Sequence, residues 1–142
     1  SDLQCALGLS QLGKLEGWIE RRGTIASRYD EAFRSTTGLG LLRRHADRRH
    51  AYHLYVVRVK GEGKGSSARD QLFTKLREKG LGVNVHYIPV HLHPYYRREQ
   101  GTALGQCPVS EKSFEEILTL PLYPTMTDDN VAQVIETVKG CL

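Results

Sequence analysis

The stretch Val83-Asn84-Val85-His86-Tyr87-Ile88-Pro89-Val90-His91-Leu92-His93-Pro94-Tyr95-Tyr96 is the one around which the remaining chain is arranged. Val83 and Val85 are β-branched and alternate with Asn84 and His86, which predicts a strand with one apolar and one polar face. Pro89 and Pro94 then bar regular pairing and predict an extended run. Three histidines (His86, His91, His93) and three tyrosines (Tyr87, Tyr95, Tyr96) ride on this stiffened segment. Polar rings just past a strand end suit a binding site, because the backbone decides where they point. An aromatic loop that merely covers a core edge would have the same spacing.

Upstream, Tyr52 to Val59 reads as a strand apolar on both faces (Tyr52, Leu54, Val56 against Tyr55, Val57, Val59), which predicts a central position. Gly61 to Ser67 links it to a helix. As a phosphate loop it fails, since Lys64 is followed by Gly65 rather than Ser or Thr. Ser67 is expected to cap that helix with Asp70, Leu72, Phe73 and Leu76 to face inward, and Gly80 to close it. His53 is expected to be a hydrogen-bonded structural histidine, because no carboxylate or nucleophile nearby would make it a base.

At the start of the chain, Leu3, Ala6, Leu7, Leu12, Leu15 and Ile19 recur at helical spacing, interrupted by Gly8, Gly13 and Gly17. Each glycine costs a helix up to ~1 kcal/mol against alanine. A short helix, a break near Gly13 or Gly17 and a second helix to about Phe33 follow, with Ile25, Ala26, Tyr29 and Phe33 as the inner stripe. Thr36 to Gly40 reads as a turn-rich linker. Downstream, Arg97 to Gln106 is loosely specified and Pro108 to Glu116 predicts a short helix. Ile117 to Pro124 is a strand stopped by prolines. Thr127 caps a last helix with Val131, Val134, Ile135 and Val138 inward.

Helices and strands in that order predict an α+β fold: a small three-stranded, mostly antiparallel sheet with helices packed on one face. The 142 residues suit one domain with its own core. Cys5, Cys107 and Cys141 share no disulfide or metal spacing, which fits inert thiols in a reducing cytoplasm. No apolar run reaches membrane length. The net charge of +4 is concentrated in Arg43-Arg44-His45-Ala46-Asp47-Arg48-Arg49-His50. Without interleaved aromatics for base stacking, this cluster reads as a solvated loop and not as a nucleic-acid surface.

Several motifs carry a family resemblance. His86-Tyr87-Ile88-Pro89-Val90-His91 with Pro94-Tyr95-Tyr96 resembles the "HYIPVH…PYY" segment of the PLP-dependent DegT/StrS sugar-nucleotide aminotransferases. Ser1-Asp2-Leu3-Gln4-Cys5-Ala6-Leu7-Gly8 with Gln11-Leu12, then Arg21-Arg22, Ile25-Ala26 and Tyr29, is similar to that group's "SD-Q-AlG-sQL" and "RR..IA..Y" stretches. Tyr52-His53-Leu54-Tyr55-Val56-Val57-Arg58-Val59 is similar to its "WHLyvvrv", with Tyr for Trp. Leu120-Pro121-Leu122-Tyr123-Pro124 with Met126-Thr127 resembles "sLPLyP.mt". Within the group the segment most resembles the enzymes that aminate a 4-keto sugar nucleotide on the way to pseudaminic acid.

The resemblance implies that residues 1–142 are the C-terminal small domain of such an enzyme, with N-terminal helices over 1–35 and the sheet with its covering helices over 50–142. The large domain with the Schiff-base lysine and the aspartate that pairs with the pyridine nitrogen would lie outside this chain. No catalytic, cofactor-binding or metal-ligating residue is therefore expected here. Val85, His86, Tyr87, Ile88, Pro89, His91 and Tyr95 are expected to line the sugar-nucleotide site. The implied partners are a UDP-linked 4-keto-6-deoxy sugar, glutamate, the large domain and a second subunit, with neither nucleic acid nor membrane. Two other readings compete: a stand-alone dimerising or regulatory module, and a zinc domain built on His86, His91, His93 and Cys107.

Overall fold

A computed structural model describes residues 1–61 and 67–142. Its centre is α2 (Leu15–Phe33), whose Ile25, Ala26, Tyr29 and Phe33 are buried along one face. Tyr29 anchors that face. Its ring lies 5.9 Å from Phe33 and 4.9 Å from Tyr55, and its hydroxyl donates to the carbonyl of Pro121 at 2.9 Å. Burial pushes the Tyr29 phenol well above its usual range, with the neighbouring Tyr123 adding to the shift and Arg28 opposing it.

Three strands form an antiparallel sheet in the order β1 (Leu39–Leu41), β2 (Tyr55–Val59), β3 (Ile117–Leu120). The register places Leu41 opposite Val57, and Val56 opposite Thr119. Tyr55, Val57 and Val59 alternate inward with Leu118 and Leu120, joining α2, α3 (Ser67–Glu78) and α6 (Asp128–Cys141) in one core. The opposite sheet face carries Val56, Arg58 and Thr119, and Arg58 pairs there with Glu116 at the end of α5 (Pro108–Glu116).

α6 starts on a reciprocal cap: the Asn130 amide donates to Thr127 Oγ1 and the Thr127 amide to Asn130 Oδ1, both at 3.1 Å. Arg21 and Arg28 of α2 each meet Asp128 at 2.9 Å, which ties the two helices together at this end. α3 ends at Gly80, whose φ of +83° is open to glycine at no steric cost, and the Leu81 amide returns to the Leu76 carbonyl at 3.0 Å.

The α+β class, the central β2 and the antiparallel sheet agree with the sequence reading, but one strand is a different one. Val83–Val85 forms no strand. It contributes a single bridge, Asn84 to Thr119, because the Asn84 side chain takes the Val85 amide and bends the chain away. The third strand comes instead from Leu39–Leu41, at the end of the expected linker. β2 is also shorter than expected. Tyr52 has φ +49° and gives its amide to His50 Nδ1, which breaks the extended run before Tyr55. Nor is the run after Pro89 extended: Val90–Leu92 is a 3₁₀ turn, and Pro94 opens α4 (Pro94–Glu99) as its first residue. α3 begins at Ser67 itself, so the residue in its cap position, like most of the Gly61 to Ser67 loop, lies outside the described residues.

α1 (Asp2–Leu12) breaks from α2 at Gly13-Lys14 as expected, and Gly17 stays inside α2. α1 buries none of its residues: Leu3 is 82% exposed and Leu9 72%.

Candidate functional site

His86 lies on the sheet face opposite the helical core. Its Nδ1 is hydrogen-bonded to Thr119 Oγ1 at 3.0 Å, and Thr119 stands between Leu118 and Leu120 with its side chain on the other face of β3. Fixing one imidazole nitrogen orients the ring and leaves Nε2 for a ligand, with the tautomer following the direction of the Thr119 hydroxyl. Nε2 has no hydrogen-bond partner among the described residues. The Tyr87 ring meets His86 edge-on at 4.7 Å and is 68% exposed. Ile88 is exposed as well, Val85 is half-buried, and Pro89 is buried and turns the segment into the 3₁₀ turn. Val85, His86, Tyr87 and Ile88 thus form one continuous, partly open ledge.

His91 sits in a different setting. Its Nε2 donates to Glu111 Oε1 at 2.7 Å, and both side chains are nearly enclosed. The same carboxylate accepts the Gly105 amide on both oxygens at 2.9 Å and the Cys107 amide at 3.1 Å. Thr102 Oγ1 donates to the His91 carbonyl at 2.6 Å. Burial works to raise the Glu111 pKa, but the Gly105 amide, the His91 ring and the Cys107 amide together hold it below the usual carboxylate range. His91 thereby organises the loop from Gly101 to Cys107. Tyr95 projects from α4, exposed, with its ring at 5.3 Å from Tyr96 and perpendicular to it.

One expectation and one rival reading fail on geometry. His53 is exposed and has no hydrogen-bond partner among the described residues, because the turn at Tyr52 throws it outward. Among the described residues no group of three or more His, Cys, Asp or Glu side chains stands close enough to hold a metal, so the zinc reading loses its site. Cys5 and Cys107 are exposed, and Cys141 is buried.

The basic cluster is exposed throughout, as the solvated-loop reading expects, and it also borders a cleft. β1 ends opposite Val57, so the edge of Tyr55 and Val56 has no strand beside it, and the chain from Leu42 to His50 curls over that edge. An open cleft of about 450 Å³ results, lined by Arg43, Arg44, His45, Arg48, Tyr52 and Val56 among others. Arg44 packs 5.0 Å over the Tyr52 ring and pairs with Asp30 at 2.5 Å, while Asp30 also accepts the Tyr55 hydroxyl at 2.6 Å. Sequence spacing alone did not reveal Thr119, Glu111 or this cleft. A lone threonine between two strand leucines, and an acid in the first turn after Gly105-Gln106-Cys107-Pro108, are the signals that point to the first two.

The profile of the DegT/DnrJ/EryC1/StrS aminotransferase family matches residues 1–139. The chain belongs to that family. It is 45% identical over 139 residues to the spore coat polysaccharide biosynthesis protein SpsC of Bacillus subtilis, covering 97% of this chain and 36% of SpsC. The sugar aminotransferase Spr1654 of Streptococcus pneumoniae, described as putative, superimposes in its PLP form with a TM-score of 0.89 at 32% identity, over 99% of this chain and 35% of that one. Helicobacter pylori PseC, an aminotransferase of pseudaminic acid biosynthesis, gives a TM-score of 0.85 at 24% identity, over 97% and 36%, which speaks to the fold alone. The chain therefore spans about a third of the length of the family members it matches.

A family aminotransferase that uses pyridoxal phosphate needs a lysine in an apolar, charge-tuned setting and an acid for the pyridine nitrogen. Every lysine among the described residues is exposed, and Lys75 is engaged with the Cys141 carbonyl at 3.1 Å. Lys64 lies outside the described residues. The described residues do not fit the cofactor, because none of their lysines stands in the setting that its chemistry requires.

Proposed function

We propose that residues 1–142 are the C-terminal small domain of a PLP-dependent sugar-nucleotide aminotransferase and supply one wall of its substrate pocket. The parent enzyme moves an amino group from glutamate to the keto carbon of a UDP-linked 4-keto-6-deoxy sugar in the cytoplasm. The observation that carries this reading is the His86–Tyr87 ledge: a ring anchored through Nδ1 with Nε2 open, beside an exposed phenol. Nε2 donates to, or accepts from, a sugar hydroxyl, depending on which way the Thr119 hydroxyl points. Tyr87 packs its ring against the sugar or base and offers its hydroxyl. Val85, Ile88 and Pro89 shape the apolar side. Tyr95 closes the outer rim. His91 acts at one remove, by holding the neighbouring loop through Glu111.

The exposed leucines of α1 support a covering partner, which we assign to the large domain and a second subunit. Without the lysine, the isolated chain is catalytically inactive.

The test uses the enclosing enzyme. Replacing His86 by Ala should lower kcat/KM for the keto sugar by tenfold or more, about the loss of one hydrogen bond in a desolvated site. The half-reaction with glutamate, followed by the cofactor's absorbance, should stay unchanged. An equal loss in both half-reactions would refute the placement of His86 at the sugar. Separately, the isolated chain should form no imine with pyridoxal phosphate and aminate nothing; activity from this chain alone would end the proposal.

A further inference from the structure

We infer that Thr119 is a positioning residue that sets the hydrogen-bonding sense of His86. Its hydroxyl donates to Nδ1, the ring therefore carries its proton on Nε2, and the ledge offers a donor to an acceptor oxygen of its ligand. This rests on the reading of His86 as a substrate contact only where the ligand is concerned; the state of the ring is decided within this chain.

The backbone puts Thr119 in place first. The Asn84 amide donates to the Thr119 carbonyl at 3.2 Å and the Thr119 amide to the Asn84 carbonyl at 2.8 Å, so the two residues face each other across the bridge. Pairing stops there, short of His86. The Asn84 side-chain oxygen accepts the Val85 amide at 2.8 Å and makes no bond with the Thr119 hydroxyl. Among the described residues, the next hydrogen bond that joins the ledge to β3 is the 3.0 Å contact between Thr119 Oγ1 and His86 Nδ1.

Proton accounting then decides the direction of that bond. A threonine hydroxyl has one proton to give and can also accept, while a neutral imidazole has one nitrogen of each kind. Thr119 is 5% exposed, and among the described residues its hydroxyl has His86 Nδ1 as its single partner. With hydrogen on Nδ1, the hydroxyl would accept it and its own proton would have no acceptor in a nearly buried place. An unmade buried donor is the costlier arrangement. With the hydroxyl donating, that proton is used, and the ring N–H lies on Nε2, which has no partner among the described residues. Its complement is a lone pair on a carbonyl, hydroxyl or ether oxygen. A group that can only donate, such as an ammonium, is rejected at this point of the ledge.

The test starts from nitrogen NMR of the histidine rings in the 142-residue chain, at about pH 8, above the usual histidine range. Protonated and bare ring nitrogens are then well separated. His86 should show Nε2 protonated and Nδ1 bare, whereas the exposed His53 should show the averaged shifts of a free imidazole. Thr119→Val keeps the shape, removes the hydroxyl and should move both His86 shifts toward those averaged values; Thr119→Ser should hold them. Hydrogen on Nδ1 in the unsubstituted chain, or His86 shifts that Thr119→Val leaves in place, would overturn the assignment. The first of these readouts needs no variant, so it decides even where Thr119→Val does not fold. In the enclosing enzyme, Thr119→Val should lower kcat/KM for the keto sugar about tenfold. Thr119→Ser should recover it, with the glutamate half-reaction unaffected throughout. Full activity of Thr119→Val beside a loss in His86→Ala would overturn this inference alone. No loss in either variant would instead remove His86 from the sugar, so the two readings fail separately.

Discussion

α1 and α6 are both helices with aliphatic residues at helical spacing, yet one is bare and the other is half core. α6 buries Val131, Val134, Val138 and Cys141 against α2 and α3. α1 buries nothing, with four leucines between 61% and 82% exposed. An apolar stripe therefore states a need for cover but not who provides it. Periodicity is a property of one helix; burial is a property of two surfaces. For α6 the second surface lies on this chain. For α1 it does not lie among the described residues.

The largest effect should come from charging each stripe in turn. Val138→Asp leaves an unpaired charge in the core and should cost about 3–5 kcal/mol, measured by urea denaturation. Leu7→Asp in α1 should change the stability of the same chain by no more than about 0.5 kcal/mol. A large loss at Leu7 would mean that α1 is covered in solution, and sedimentation would then show whether a second copy does it.

A smaller contrast lies in the helix starts. Thr127→Ala removes the reciprocal cap of α6 and should cost about 1 kcal/mol of global stability. Ser1→Ala, which removes the hydroxyl facing Gln4 at the start of α1, should not change the global transition, because α1 is not part of the cooperative core. Equal effects would break the distinction between the two helices.

The smallest effect is local and separates the two kinds of histidine, one enclosed and one left open. Glu111 has its folded-state pKa lowered, so its contribution is fully present above the usual carboxylate value of 4.5 and is lost as pH falls through the lowered one. Hydrogen exchange at the Gly105 and Cys107 amides should therefore rise below that value, and Glu111→Gln should remove the acid dependence. Amides at His93, which has no such carboxylate partner, should show no matching transition. Exchange at Gly105 that ignores pH would show that the loop is held by something other than Glu111.

The elements nearest the core were legible because their patterns are local. Ile25, Tyr29 and Phe33 follow helical spacing, Tyr55, Val57 and Val59 alternate, and Thr127 caps, so α2, β2 and α6 could be read before any contact was known. Val83–Val85 misled because alternation reports strand propensity, whereas pairing needs a free edge and an unbent backbone. Asn84 spends its side chain on the next amide and allows one bridge only. Leu39–Leu41 pairs in its place from a stretch whose glycines read as linker.

At the candidate site the division is similar. The residues of the ledge, from Val85 to Pro89, and the family they resemble were readable from the chain. That His86 is free at Nε2 while His91 is spent on Glu111 was not, since both sit in the same short segment. The deciding partners, Thr119 and Glu111, are 33 and 20 residues away in sequence. The order of residues was enough to set the helices, the central strand and the chemical kinds of side chain available. Which of those side chains are committed and which stay open was settled only in three dimensions, because hydrogen bonds between distant residues depend on register and packing, not on neighbours along the chain.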